Sequence, residues 1–156
     1  MNKEIQYIRK TLQQTLTGKP WYGRALFEVL GETDPAKVYQ QPGGKAHSLI
    51  ELLYHMITWS EFTRAQLEME GSPDVSAFEK LDWRPIDPSV HTWEKGMQAL
   101  KESNDRILML LEEKNDDLLG NMVEGREYNF RFLLQGLIQH HIYHEGQVAC
   151  VQKLFA

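Results

Sequence analysis

Gln139-His140-His141-Ile142-Tyr143-His144-Glu145-Gly146-Gln147 holds three of the chain's six histidines within five residues. It lies in a run from near Asn129 to the chain end. Phe132, Leu133, Leu137, Val148, Val151 and Leu154 recur there at helical spacing. On such a helix His140 and His144 sit about 40° apart, one turn above the other. Two imidazoles at i, i+4 form a bidentate clamp for a divalent transition metal, as on the zinc-protease helix. That protease pattern needs Glu directly after the first His, and His141 stands there instead. Two ligands seldom hold an ion, so a third must come from elsewhere.

Working outward, the rest of the chain reads as helix as well. Ile5, Ile8, Leu12 and Leu16 mark an amphipathic helix over residues 2–17. Gly18-Lys19-Pro20 interrupts it, and a helical pattern resumes from Trp21 to Leu30, either as the continuation of one kinked helix or as a second piece. Pro20 at a first helical turn suits the second option. Gly31 through Gly44 reads as connection with at most one short helical turn. A long helix opens at Ser48, with Glu51 three residues on as a capping box, and runs to about Glu70, where Gly71-Ser72-Pro73 stops it. Residues 71–88 hold Pro73, Pro85 and Pro88 without sustained period and form a long crossover. Ser89 or Thr92 caps a third helix that carries Trp93, Met97, Leu100, Ile107 and Leu111 to about Lys114. Asn115 to Arg126 is polar and broken by glycine. The fold class is therefore all-α: one domain over residues 1–156, a four-helix bundle with a long crossover between its second and third helices.

Composition bounds the function classes. With 156 residues, 42% hydrophobic and 25% charged, the chain has the make-up of an ordinary globular domain. A net charge of −5 with no Lys/Arg block argues against nucleic acid as partner. No run of about 18 apolar residues offers a membrane span, and Glu4, Gln6 and Arg9 interrupt any signal-like N-terminus. The one cysteine, Cys150, excludes an internal disulfide and reads as a small buried hydrophobe. A cytoplasmic location is the expectation.

The third ligand is sought among His47, His55 and His91. His55 lies mid-helix in Leu52-Leu53-Tyr54-His55-Met56-Ile57, where it is either a hydrogen-bonded core residue or a ligand that meets the pair on the last helix. Three neutral imidazoles with an open fourth position would make a catalytic type of site. His141, about 100° from His140, reads as facing a neighbouring helix or solvent, yet as the i+3 partner of His144 it is the rival to His140. His47 reads as a cap or loop residue at the mouth of the site, and His91 as solvated. Glu51 is either the cap or a base near the metal; Gln147, one turn past His144, is placed to orient a ligand or substrate. Gly146 reads as a place of close helix packing, and Trp59 and Trp93 as core.

Gly44-Lys45-Ala46-His47-Ser48-Leu49-Ile50-Glu51-Leu52-Leu53-Tyr54-His55-Met56-Ile57-Thr58-Trp59 resembles the second-helix motif of the DinB/YfiT superfamily. Gly136 to Gln147 is similar to its terminal signature: His, three residues, His, any residue, Gly, Gln. Trp21-Tyr22-Gly23 with Leu26 to Leu30 looks like its first-helix region. The resemblance implies a bundle, commonly homodimeric, with His55, His140 and His144 binding a divalent ion, often zinc or nickel. It also implies a small-molecule substrate. Some relatives transfer low-molecular-weight thiols such as bacillithiol or mycothiol to electrophiles. Others are described as metal-dependent hydrolases, and many have no assigned activity. A thiol transferase in which Glu51 or Gln147 assists is thus the first expectation. A hydrolase working through a metal-activated water is the second, and a non-catalytic metal-binding stress or interaction protein the third.

Overall fold

A computed structural model describes residues 2–69 and 73–156. Four long helices carry the architecture: α1 (Lys3–Thr17), α3 (Leu49–Glu68), α5 (Trp93–Glu113) and α6 (Phe130–Leu154). Two short ones, α2 (Leu26–Gly31) and α4 (Val75–Lys80), lie in the connections. The only strand-like pairing among the described residues is a single bridge between Met122 and Asn129.

The starts of the long helices follow from side chains that accept hydrogen bonds from first-turn N–H groups. Ser48 and Glu51 form a reciprocal capping box on α3, Thr92 accepts from Lys95 N at 3.3 Å, and Asn129 accepts from Phe132 N at 3.0 Å. Helix α1 has no such cap of its own. Asp116, from the turn after α5, supplies one by accepting from Ile5 N at 2.8 Å.

Side-chain pairings fix the directions. Gly96 lies against Leu53, Asn104 donates to Ser60, and Arg106 pairs with Glu68, so α5 runs parallel to α3. Ile5 with Asp116 and Arg9 with Leu108 set α1 antiparallel to α5. Glu4 with Arg131 and Tyr22 with Glu145 set α6 parallel to α1. The bundle is therefore up-down-down-up. Because α3 and α5 are parallel, the chain must return along the whole of the 20-residue α3, about 30 Å, before α5 can begin. That return is the expected crossover. At Gly96 a Cβ would come within 2.7 Å of Leu53 Cδ2, so the missing side chain is what lets α5 lie this close to α3.

The core is continuous, from Ile5, Leu12 and Leu16 of α1 through Leu53, Met56 and Phe62 of α3 to Leu100, Ile107, Leu134 and Val148. Burial of this kind, at about 25 cal/mol per Å² of apolar surface, dominates folding.

Several expectations change. Helical structure after Gly18 begins only at Leu26. Trp21 to Ala25 is turn and extended backbone, and Trp21 is fully exposed, so Pro20 does not open a helix. The Gly31–Gly44 stretch holds two 3₁₀ turns, Pro35–Lys37 and Pro42–Gly44, each opened by its proline. The crossover contains α4, capped by Asp74, a helix too short for periodicity to reveal. Helix α3 is followed by Met69 in the left-handed region (φ 54°). The expected end near Glu70 and the Gly71-Ser72 stop lie outside the described residues. On α6, Phe132 and Leu154 are exposed instead of core. Phe130 and Phe132 differ by about 200° of rotation, so only one of them can face inward. Phe130 does.

Candidate metal centre

His55 projects from the first half of α3 and His140 and His144 from the middle of α6. Each offers a ring nitrogen, and the three lie within 4.8 Å of one another. His55 and His144 are buried, at 6% and 4% exposure, while His140 is half-buried. Ring centroids are separated by 4.8 Å (His55–His140), 4.6 Å (His55–His144) and 4.4 Å (His140–His144).

Hydrogen bonds fix which nitrogen two of the three rings present. His55 Nδ1 is 2.8 Å from Asp82 Oδ1 and 3.1 Å from the Asp82 carbonyl oxygen. Both are acceptors, so Nδ1 carries the proton and Nε2 is a bare lone pair. His144 Nδ1 likewise donates to Gln147 Oε1 at 2.5 Å. His55 Nε2 faces His140 Nε2 at 2.9 Å, and His140 Nδ1 is buried without a partner. For His55 and His144 this is the pattern by which metal-binding histidines are oriented: the distal N–H is held by a carboxylate or amide, which leaves the other nitrogen free for an ion.

The rings are held neutral. Burial, reinforced by the neighbouring imidazoles, pushes His140 down to about 2. Burial takes His144 to about 4 against the opposing effect of Gln147. Burial also lowers His55, outweighing the Asp82 bonds that would raise it. Only a neutral imidazole has a lone pair to give, so protons do not compete for these nitrogens near neutral pH. The donor set suits zinc, nickel or another borderline divalent ion.

Sequence reasoning missed two residues of the centre, Asp82 and Trp83, both in the crossover. Asp82 also accepts from Trp59 Nε1 at 2.7 Å. Trp83 stacks on His55 with 3.8 Å between centroids and 5° between planes, and on its far face against His47 at 3.6 Å and 4°. The crossover is pinned where it delivers them: Thr58 on α3 donates to the Leu81 carbonyl at 3.1 Å and accepts from Arg84 Nη2 at 2.6 Å. Ligand chemistry demands an acceptor behind His55. Nothing in sequence spacing, however, selects Asp82 from the chain's 22 acidic residues.

The remaining candidates fall on either side of the expectations. Glu51 is the cap: its Oε2 accepts from Ser48 N and Ser48 Oγ, both at 2.7 Å. Burial acts to raise its pKa, but these bonds prevail and hold the carboxyl below its usual value. His47 lies 3.9 Å from Glu51 Oε1 and covers Trp83 at the rim, separated from His55 by the indole. His141 is fully buried and faces away, with Nε2 3.1 Å from Asn104 Oδ1 and 3.5 Å from Ser60 Oγ. His91 is half-buried, its Nδ1 accepting from Asp87 N at 2.9 Å. Trp93 is core, whereas Trp59 is only partly buried. Gly146 is exposed and no facing helix packs on it: beyond its own helix backbone and chain neighbours, nothing lies within 4 Å of where its Cβ would be. Cys150 is exposed too, because Val148 and Val151 take the inward positions of that turn.

No described helix is long and apolar enough to cross a membrane. A family model described as the DinB superfamily matches residues 22–148, a span that includes His55, Asp82, His140 and His144. No curated protein matches the chain.

Proposed function

This chain belongs to the DinB superfamily, and we propose that it is a divalent-metal-dependent enzyme of the thiol-transferase type. His55, His140 and His144 would hold the ion, with a small-molecule thiol and an electrophile as substrates. The observation that carries this reading is the convergence of three neutral imidazoles, two with their outer nitrogens engaged by Asp82 and Gln147. Zinc or nickel bound there supplies a Lewis acid and makes a thiol acidic enough to ionise at neutral pH.

The chain's own groups do the positioning. Asp82 holds the His55 ring in its tautomer and plane and raises the basicity of Nε2. Trp83, flat against His55, shields that face from water. Gln147 does for His144 what Asp82 does for His55. In the reaction the thiol proton passes to solvent and sulfur forms a bond to the electrophilic carbon. The leaving group departs with its bonding pair.

Preference for a thiol over water rests on the carboxylates. Hydrolysis of an ester or amide draws on a general base to take the proton of water. Glu51 is committed to the cap, and Asp82 to His55 and Trp59. A thiol, which starts with a pKa of about 8.5 against about 15.7 for water, draws far less on such a base.

Elemental analysis of protein purified without a polyhistidine tag should find about one divalent ion per chain. The loaded protein is then given bacillithiol with a model electrophile and, separately, ester and amide substrates. Product that requires the thiol, without hydrolysis, is the expected result. Hydrolysis with no thiol requirement would overturn the transferase reading in favour of a hydrolase, and inertness toward both at full metal content would make the centre non-catalytic.

A further inference from the structure

Phe132 leaves 65% of its surface in water in the first turn of α6, beside the buried Phe130 and Leu134. It forms one side of an open groove of about 200 Å³ between α3 and α6, with Trp59, Thr63, Tyr128 and Gly136, and His140 also lines it. The ring of Tyr128 rests near that of Phe132, with 5.1 Å between centroids. No charged side chain lines the groove. Two of its polar groups are already engaged: Thr63 Oγ1 donates to the Trp59 carbonyl at 2.8 Å and Trp59 Nε1 to Asp82 at 2.7 Å, which leaves His140 and the Tyr128 hydroxyl as its other polar groups. An occupant would therefore meet apolar walls and aromatic faces, with a proposed metal ligand on the same wall.

Size narrows the occupant. A cavity of about 150 Å³ accepts benzene, so this groove holds one ring or a short branched alkyl chain and is too small for a partner helix. We infer that it takes the apolar arm, an aromatic ring or a compact alkyl group, of the small molecule that reacts at the histidine centre. The assignment of the reacting end rests on the function proposed above; the groove and its preference for apolar groups do not. Trp59 joins the two places, since it walls the groove and donates to the carboxylate that orients His55.

The test compares benzyl mercaptan, ethanethiol and benzyl alcohol by ligand-observed NMR titration, on the protein as purified and after metal loading, with metal content measured in parallel. The filling variant is Gly136→Leu. No atom lies within 4 Å of the Cβ position at Gly136, and leucine favours helix over glycine, so this change occupies the groove without straining α6. Phe132→Ala is the second variant, opening the groove at an exposed position. Wild type should bind benzyl alcohol with or without metal. It should bind benzyl mercaptan at least about tenfold more tightly than ethanethiol, the scale expected from burying one ring. Gly136→Leu should abolish that preference at unchanged metal content, and Phe132→Ala should reduce it.

Equal affinity for the two thiols in wild type, or a preference that survives Gly136→Leu, would overturn the inference and leave the metal centre untouched. Failure to load metal while benzyl alcohol still binds would sink the reading of the centre and leave the groove. A wild-type dimer that either variant converts to monomer, with no benzyl preference at any stage, would assign the surface to a second copy of the chain.

Discussion

His140 and His141 are neighbours in sequence on α6, and their rings do opposite work. His140 turns toward His55 and His144, where one ring nitrogen from each residue lies within 4.8 Å of the others. His141 turns into the bundle, where its Nε2 meets Asn104, whose amide in turn donates to Ser60 at 3.1 Å and to the Leu100 carbonyl at 2.9 Å. Burial drives both far below the ordinary histidine value, to about 2 and about 3. A depressed pKa therefore does not separate a ligand from a core residue. Company does: His140 sits among other lone-pair donors, His141 among hydrogen-bond partners.

The sharpest way to break the contrast is the double change His140→Ala, His144→Ala. It should take metal content from about one ion per chain to nearly none, because one imidazole does not retain an ion through purification. Helix content by circular dichroism should barely change. Ion retained by that variant would mean the clamp has been misplaced.

Next in size is Asp82→Ala, which leaves His55 without the acceptor that orients it. Metal affinity should fall roughly 10- to 100-fold, the usual consequence of deleting such a partner. A competition titration against a chelator reads this directly. An unchanged affinity would show that Trp83 stacking alone fixes the ring.

His141→Ala should do the reverse of both. Metal content stays at the wild-type value while urea denaturation shows a loss of about 1–3 kcal/mol, from the Asn104 carbonyl left unpaired in the core. Loss of metal instead would make His141 the true partner of His144.

Smallest is Glu51→Ala, at the other candidate that proved structural. It should cost about 0.5–1 kcal/mol of stability with metal unchanged, as expected of a partly exposed capping carboxylate. The sign with pH follows from its lowered pKa. The folded state holds the charged form more firmly, so this contribution is present above the ordinary value of 4.5 and is lost as pH falls through the folded value. Wild type minus variant, followed by urea denaturation in acid, should shrink below pH 4.5. A difference that stays constant would mean that the cap does not depend on charge.

Much of this was legible without coordinates. Apolar spacing gives the long helices, and Ser48, the choice of Ser89 or Thr92, and a start near Asn129 give three of their beginnings, with Thr92 the residue that caps, because caps and amphipathic faces are local matters settled within a turn or two. The length of the crossover follows as well, from proline placement and lack of period. Spacing alone left His140 and His141 both open as partners for His144, and the motif resemblance pointed to His140, the one that meets His55. Helix α4, the exposure of Phe132 and Cys150, and the lack of any helix over Trp21–Ala25 were out of reach. Helix α4 and the Trp21–Ala25 stretch are too short for a period to register, and the exposure of Phe132 and Cys150 depends on which face a neighbour covers.

From the sequence by itself came the helical class, the capping function open to Glu51 and a histidine pair spaced for an ion. Tertiary structure alone decided that Asp82 and Trp83 close on His55, that His141 belongs to the core, and that an apolar groove reaches His140. The physical reason is range. Helix geometry relates residues three or four apart, whereas Asp82 reaches His55 across 27 positions and His140 across 85, separations that only the packing of α3, α6 and the returning crossover can close.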